Sequence, residues 1–157
     1  MRRRDGFTLI EIAIAVVILV VALLMAVPSV NGVLADRRLR RSLDSVNRLV
    51  LQAQEFSIAE RRPYLIVWRE KQFVLRPEAF LQGEDRKPVA TINWQKGEAV
   101  TLTFPAAIDE EPPSEWVFWP SGNCEPAVVT YRGANGAWRA KYSALSARPQ
   151  VTDYAVR

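Results

Sequence analysis

Residues 6–27 read GFTLIEIAIAVVILVVALLMAV, a nearly pure hydrocarbon run that carries one carboxylate close to its start. Every side chain from Ile12 to Val27 is apolar, and a helix of about 20 such residues is long enough to cross a bilayer. A carboxylate at lipid depth costs about 2.5–3.5 kcal/mol on insertion scales, so Glu11 is a candidate functional residue. The alternative is a plain membrane anchor whose glutamate reaches back to the headgroups.

A short basic segment precedes this run and ends at Gly6. The string GFTLIEI resembles the processing signature of type IV prepilins and of the pseudopilins of type II secretion. The resemblance implies that a prepilin peptidase and N-methyltransferase cleaves between Gly6 and Phe7 and methylates the Phe7 amine, so that residues 1–6 are a leader peptide. It also implies that Glu11 pairs with the Phe7 amine of a neighbouring subunit when helices bundle into a filament core.

The charge pattern on the two sides of the apolar run predicts its orientation. Three leader arginines favour a cytoplasmic start, and the arginines that follow the run precede a long domain, which translocates largely regardless of its charge. We therefore predict a single-pass inner-membrane protein with a cytoplasmic N-terminus. The predicted order is a leader at 1–6, a transmembrane helix at 7–30, an amphipathic helix at 31–62 that continues the first, and a periplasmic β-domain at 63–157.

The amphipathic segment has an apolar stripe and a basic cluster. Apolar residues recur at three- and four-residue steps, which predicts a buried helical face. The arginine cluster is either a solvated face beside phospholipid headgroups or a surface that meets acidic side chains of neighbouring filament subunits. The stripe consists of Leu39, Leu43, Val46, Leu49, Val50, Ala53 and Phe56, and the cluster consists of Arg37, Arg38, Arg40 and Arg41.

After Pro63 the apolar period changes from helical to alternating, and Gly or Pro interrupts nearly every gap between short β-rich runs. Such runs predict two packed antiparallel sheets. The predicted fold class is therefore α+β, with a long helix packed on a C-terminal β-sandwich of about eight strands. We expect the helix to lie against one sheet and the tryptophans to pack in the core. The predicted strands are 64–69, 72–76, 89–94, 100–104, 116–119, 128–131, 138–142 and 151–154.

Few residues of this chain suit catalysis or metal binding. The chain has no histidine, no CxxC pair and no phosphate-binding glycine motif, so we predict no enzyme, no cofactor and no metal site. The acidic run at residues 109–111 with Glu115 lacks the alternating spacing of calcium ligands, which favours an exposed loop. Cys124 is the only cysteine, which excludes an intramolecular disulfide. We expect it to be a partly buried apolar residue, with an intermolecular bridge or a reactive thiol as the alternative.

Two later stretches are similar to the H-type minor pseudopilins of type II secretion. In residues 117–130 a strand ends in an aromatic-x-Pro-x-Gly turn, and residues 142–151 look like that family's closing strand. The resemblance implies a minor pseudopilin, a structural subunit that joins other pseudopilins in a short periplasmic filament. Such a filament helps to couple inner-membrane energy to secretion through an outer-membrane channel.

The alternative is a minor pilin of a type IV pilus, in the group similar to fimbrial transport proteins, with a role in pilus assembly or DNA uptake. Its support is the basic composition of residues 127–157, in which aromatic side chains are interleaved. An ordinary exposed strand shows the same alternation, and removal of the leader leaves 18 of 21 basic and 16 of 17 acidic side chains. We therefore do not expect nucleic acid as a partner. The residues concerned are Arg132, Arg139, Lys141, Arg148 and Arg157, with Tyr131, Trp138 and Tyr142.

Overall fold

A computed structural model describes residues 8–69, 71–105 and 115–157, although not the side chains of residues 24–31. Within these residues one long helix precedes eight strands, which confirms the predicted α+β class. Most strand ends differ from the predicted ones by one or two residues, and the last strand is much longer than predicted. The elements are α1 (Leu9–Ala59), β1 (Tyr64–Arg69), β2 (Gln72–Pro77), β3 (Ala90–Asn93), β4 (Ala99–Thr103), β5 (Glu115–Phe118), β6 (Ala127–Gly133), β7 (Gly136–Ser143) and β8 (Ser146–Val156).

The strands form two antiparallel sheets of four strands each. Sheet 1 has the order β3-β2-β1-β5, and sheet 2 has the order β4-β6-β7-β8. Strands β3 and β4 follow each other along the chain but belong to different sheets, and the turn between them is closed by a hydrogen bond from the Glu98 amide to the Gln95 carbonyl (3.0 Å). The chain therefore changes sheets three times, at this turn, between β4 and β5, and between β5 and β6.

Helix α1 ends at Ala59, three residues before the end predicted for the amphipathic segment. The chain turns directly afterwards, because Arg61 adopts a positive φ of 53° and Pro63 has no amide hydrogen with which to continue the helix. No helix among the described residues combines the length and the apolar character that crossing a membrane requires.

The apolar stripe of α1 packs against both sheets, whereas the sequence predicted contact with one. Leu39, Val46 and Val50 are at most 1% exposed, and they belong to one core that includes Ile66 of sheet 1 and Val129 of sheet 2. The stripe contacts both sheets because Leu49 and Phe56 widen it beyond a single row. The helix therefore contacts strands of both sheets, chiefly β1 of sheet 1 with β7 and β8 of sheet 2.

The tryptophans divide into core and surface residues. Trp116 and Trp138 are at most 1% exposed, and Trp68 and Trp94 are partly buried, as predicted. Trp119 is 41% exposed, so its prediction as a core residue was wrong. The reason is alternation along β5, which directs Trp116 and Phe118 inward and leaves the next residue at the start of a turn.

Candidate functional site

The helix begins at the residues that the processing signature contains. Thr8 is the N-cap, and its hydroxyl accepts a long hydrogen bond (3.4 Å) from the Glu11 amide. Glu11 is the third helical residue, so Thr8 and Glu11 have the spacing of a capping box. A carboxylate in the first turn also interacts favourably with the positive end of the helix dipole. The cap was not predicted, although the T-x-x-E spacing is a signal for it that the sequence carries.

Glu11 lies among apolar side chains on the surface of the helix. It lines a shallow groove with Ile12, Ala15, Val16 and Leu19, and both Glu11 and its apolar neighbours are exposed. The carboxylate is therefore accessible to a group on another molecule that approaches this face. Gly6 and Phe7 lie outside the described residues, so cleavage between them and methylation of Phe7 stay predictions.

The turn of residues 119–122 attaches the β-domain to the end of α1. The Gln54 side-chain amide donates to the Gly122 carbonyl (2.6 Å), and the Ser57 hydroxyl donates to the Trp119 carbonyl (3.1 Å). Gly122 has a φ of 84°, a conformation that suits glycine. The aromatic-x-Pro-x-Gly stretch thus has a structural role, as a turn that two helix side chains hold in place.

Cys124 is buried next to this turn. It is 4% exposed, and its thiol donates to the Ser143 carbonyl (3.3 Å). Burial raises the pKa of the Cys124 thiol to about 11. The thiol is therefore packed inside the monomer and does not lie at a surface where it could react or bridge.

The basic and aromatic residues of the later strands lie on opposite faces of sheet 2. Tyr131, Trp138 and Tyr142 are at most 3% exposed. The Trp138 indole donates a hydrogen bond to Ser42 of α1 (2.8 Å), and the Tyr142 hydroxyl donates one to Asn47 of α1 (2.6 Å). The opposite face is a shallow concave surface of about 540 Å³, whose basic lining residues are Arg132, Arg139 and Lys141. These aromatics therefore do not share a surface with the basic side chains.

A polar cleft of about 570 Å³ lies at the end of the β-domain nearest the start of α1, and we call it the basal cleft. Helix residues form one wall, and the turns after β3 and β6 form the other. Within the cleft, the Glu98 carboxylate accepts from the Tyr131 hydroxyl (2.7 Å) and from the Gln95 backbone amide (2.7 Å). The polar side chains of its lining include Arg38, Arg41, Ser45, Asn93, Gln95 and Asn135.

An ion-pair cluster at the opposite end joins the end of α1 to the loop after β2. Arg62 donates to both carboxylate oxygens of Glu84, one of them at 2.7 Å, and to Glu60 (2.7 Å). The hydrogen bond from Arg62, followed by the Leu81 amide, lowers the pKa of Glu84 to about 2. This cluster could not be predicted from the sequence, because Arg62 and Glu84 are 22 residues apart and follow no motif.

The acidic run at residues 109–111 lies outside the described residues. Glu115, the carboxylate that follows it along the chain, forms an ion pair with Arg76 (2.9 Å) across sheet 1. In the part of the chain that the structure describes, no three His, Cys, Asp or Glu side chains are grouped so that they could hold a metal ion.

Comparison with known proteins identifies a sequence motif at the N-terminus and solved structures with a similar fold. Residues 1–27 match the family model of the prokaryotic N-terminal methylation motif. No curated protein sequence matches the chain. The structure is similar to the type IV minor pilin FimU of Pseudomonas aeruginosa, with a TM-score of 0.55 and 11% identity over 75% of this chain and 90% of FimU.

The structure is equally similar to the minor pseudopilin EpsH from the type II secretion system of Vibrio cholerae. The TM-score is 0.54, with 12% identity over 74% of this chain and 94% of EpsH. A second EpsH structure gives a TM-score of 0.52. The chain therefore combines a prokaryotic N-terminal methylation motif with the fold of type IV minor pilins and minor pseudopilins.

Proposed function

We propose that this protein is a minor pseudopilin, of the H type, that becomes a structural subunit of a type II secretion pseudopilus. The observation that carries the proposal is the N-terminal methylation motif, which one helix connects to a β-domain like that of minor pilins and pseudopilins. Prepilin peptidase removes residues 1–6 and methylates Phe7. The segment 7–30 then holds the subunit in the inner membrane, and the β-domain lies in the periplasm.

Glu11 has a specific role in this proposal. Its carboxylate is exposed on an otherwise apolar helix surface, where an unpaired charge is costly in lipid. The ammonium group of a processed neighbouring subunit would offset this cost, because the two charges leave water together. Other pseudopilins are therefore the partners that the site fits, and the subunit needs no catalytic group.

Processing is the first test. Co-expression of the full chain with a prepilin peptidase should yield a mature protein that begins with N-methylated Phe7, detected by intact mass and N-terminal peptide mapping. Gly6→Val should block cleavage, because a branched side chain next to the scissile bond hinders approach of the protease. A wild-type protein that stays uncut beside an active peptidase, or that begins at another residue, would contradict the proposal.

A minor pilin of a type IV pilus is the second candidate, and the likeness to FimU supports it as strongly as the likeness to EpsH supports the first. Deletion of the gene in its host separates the two. A secretion subunit predicts that exported enzymes accumulate in the periplasm while surface pili persist, and a pilus subunit predicts the reverse. The identity of neighbouring genes gives an independent check.

A further inference from the structure

The basal cleft lies at the end of the β-domain that is nearer to the apolar run of α1. Tyr154 at the end of β8 donates to the Asp36 carboxylate (2.7 Å), and Trp138 donates to Ser42 (2.8 Å), so this end of the β-domain lies beside helix residues 36–45. The opposite end lies beside Gln54 and Ser57. Arg38 and Arg41 on the first of these segments therefore lie on the side of the domain that is directed back toward the apolar residues 12–27.

Arg38 and Arg41, which line the cleft, differ from the neighbouring Arg40 in how their charges are paired. Arg40 donates to Asp36 (2.8 Å) and forms an i,i+4 ion pair. Within the described part of the chain, no carboxylate forms an ion pair with Arg38 or Arg41, and both side chains are exposed. Glu98 in the same cleft keeps its negative charge, but its two carboxylate oxygens already accept hydrogen bonds from the Tyr131 hydroxyl and the Gln95 backbone amide. With Arg38 and Arg41 the charged side chains of the cleft therefore carry a net positive charge.

The remaining polar groups of the cleft suit a phosphate. Two guanidinium groups supply positive charge, and the Asn93, Gln95 and Asn135 amides with the Ser45 hydroxyl supply neutral donors. These donors match the acceptor oxygens of a tetrahedral oxyanion and would repel a cation. We propose that the basal cleft binds the phosphate of an anionic phospholipid headgroup while the subunit is in the membrane, before it enters a filament.

The spacing along the helix favours a lipid as the occupant. If the proposed membrane segment 7–30 crosses the hydrocarbon core at 1.5 Å per residue, Glu11 lies inside the core and the core ends near residue 31. Arg38 then lies about 10 Å beyond the core, near the headgroup layer, and its long side chain can extend toward the phosphates. Val33 and Leu34, which are 54% and 44% exposed, cover the intervening interface with apolar surface. This inference rests on the proposed function, because the cleft faces lipid only if the apolar run spans the membrane.

Lipid retention by the full-length protein tests the proposal. The protein in neutral detergent is incubated with phosphatidylglycerol or phosphatidylethanolamine of identical acyl chains, and the bound lipid is counted by native mass spectrometry. We expect wild type to retain at least about fivefold more phosphatidylglycerol, since one basic side chain near an anionic surface contributes about that factor. The double variant Arg38→Gln/Arg41→Gln should lose this preference.

Arg139→Gln/Lys141→Gln is the matched control, because it removes two positive charges from the outer face of sheet 2 and leaves the cleft intact. It should retain the preference. Equal retention of the two lipids by wild type, or equal loss in both double variants, would overturn the proposal. So would full competition by inorganic phosphate alone, which would indicate a site for the free ion.

Filament entry and processing of the same variants provide two more outcomes. A cleft variant that keeps its lipid preference but no longer enters filaments would overturn the lipid assignment and indicate an acidic protein surface as the partner. The N-terminus of each sample is sequenced in parallel. Processing at Phe7 without lipid preference refutes the cleft proposal alone, whereas lipid preference in a chain that is never processed refutes the secretion role alone.

Discussion

Among single residues, Glu11 combines a local and an intermolecular role. Its position in the first turn of α1, three residues after the N-cap Thr8, makes a carboxylate favourable for helix initiation. The same position leaves the charge exposed among apolar side chains, where a partner of opposite charge would stabilise it. The local role explains how the chain tolerates the charge, and the proposed filament role explains its use.

We expect Glu11→Ala to be inserted and cleaved normally but to fail to enter filaments, because the neighbouring amine would lose its partner. Glu11→Gln should fail in the same way, since it keeps the shape and removes the charge. Glu55→Ala, which removes an exposed carboxylate from the other end of α1, is the control and should assemble. The measurement is the amount of each variant in sheared filaments relative to the membrane fraction. Normal incorporation of Glu11→Ala would eliminate the charge-pairing role.

Cys124 should be almost unreactive in the folded protein. A pKa of about 11, compared with about 8.5 for a free thiol, lowers the thiolate fraction at pH 8 on the order of 100-fold, and burial slows access further. Ellman's reagent should therefore label the native chain at least about 100-fold more slowly than the chain in denaturant. Cys124→Ala supplies the blank. Rapid labelling of native protein would show that the thiol is accessible.

Among the elements, α1 is the one on which both sheets depend. Its stripe is buried over four turns, and aromatic side chains of sheet 2 donate hydrogen bonds to its polar residues. At its end, Arg62 joins the helix to the loop after β2 through Glu84. The helix is therefore stabilised by apolar contact along its length and by ion pairs at its end.

Two leucines on the same helix give a matched test of this packing. Leu49 is 2% exposed and Leu51 is 44% exposed, and both substitutions to alanine change helix propensity equally. Leu49→Ala should lower the free energy of unfolding by about 2–5 kcal/mol, because it leaves a cavity between the sheets. Leu51→Ala should change it by less than about 0.5 kcal/mol. Urea unfolding of the full chain in detergent measures both. Equal effects would mean that the stripe is not the buried face.

The Arg62–Glu84 contact predicts a pH dependence of stability. The pKa of Glu84 is lowered in the folded state to about 2 from an ordinary value of 4.5. The contact therefore stabilises the fold above about pH 4.5, and this contribution decreases as the pH falls toward 2. Glu84→Gln should lower the urea midpoint at pH 7, and the difference from wild type should narrow below pH 4.

Glu78→Gln is the control for this experiment, because it makes the same change of charge at an exposed position on the same loop. It should have little effect at any pH. A Glu84→Gln deficit that stays constant between pH 7 and pH 3 would contradict the assignment of the stabilisation to the charged carboxylate.

The whole molecule consists of a helix and a β-domain. Its surface charge is unevenly distributed, but its total charge is small. The mature chain would have 18 basic and 16 acidic side chains. The basic side chains of sheet 2 face solvent without the aromatic residues that alternate with them, because those residues contact α1. This face of sheet 2 therefore attracts a polyanion electrostatically. It lacks the exposed aromatic side chains on which proteins that bind single-stranded nucleic acid stack the bases.

We therefore expect only weak binding of single-stranded DNA, with no quenching of tryptophan fluorescence by the bases. Any binding should disappear between about 50 and 200 mM salt, because phosphate contacts alone would support it. A gel-shift series across salt, with fluorescence on the same samples, measures this. Binding that persists at 200 mM salt and quenches fluorescence would favour the DNA-uptake alternative.

The elements of this fold follow from local patterns in the chain. The continuous apolar run predicts the start of α1, the three- and four-residue steps predict its buried stripe, and alternation predicts most strands, because each signal depends on neighbours within a few residues. The motif residue Glu11 could be identified in the same way. Strand β8 was predicted too short because most of its residues after Ala147 are exposed, so the apolar signal is weak there.

Other features required the folded chain, because they depend on contacts between residues far apart in sequence. Pairing of β1 with β5 joins segments about fifty residues apart, and the separation of β3 from β4 into two sheets has no local signal. The basal cleft likewise combines Arg38 and Arg41 with turns some fifty to a hundred residues later. Short-range periodicity specifies which face of an element is apolar, whereas the packing of those faces brings particular polar side chains together.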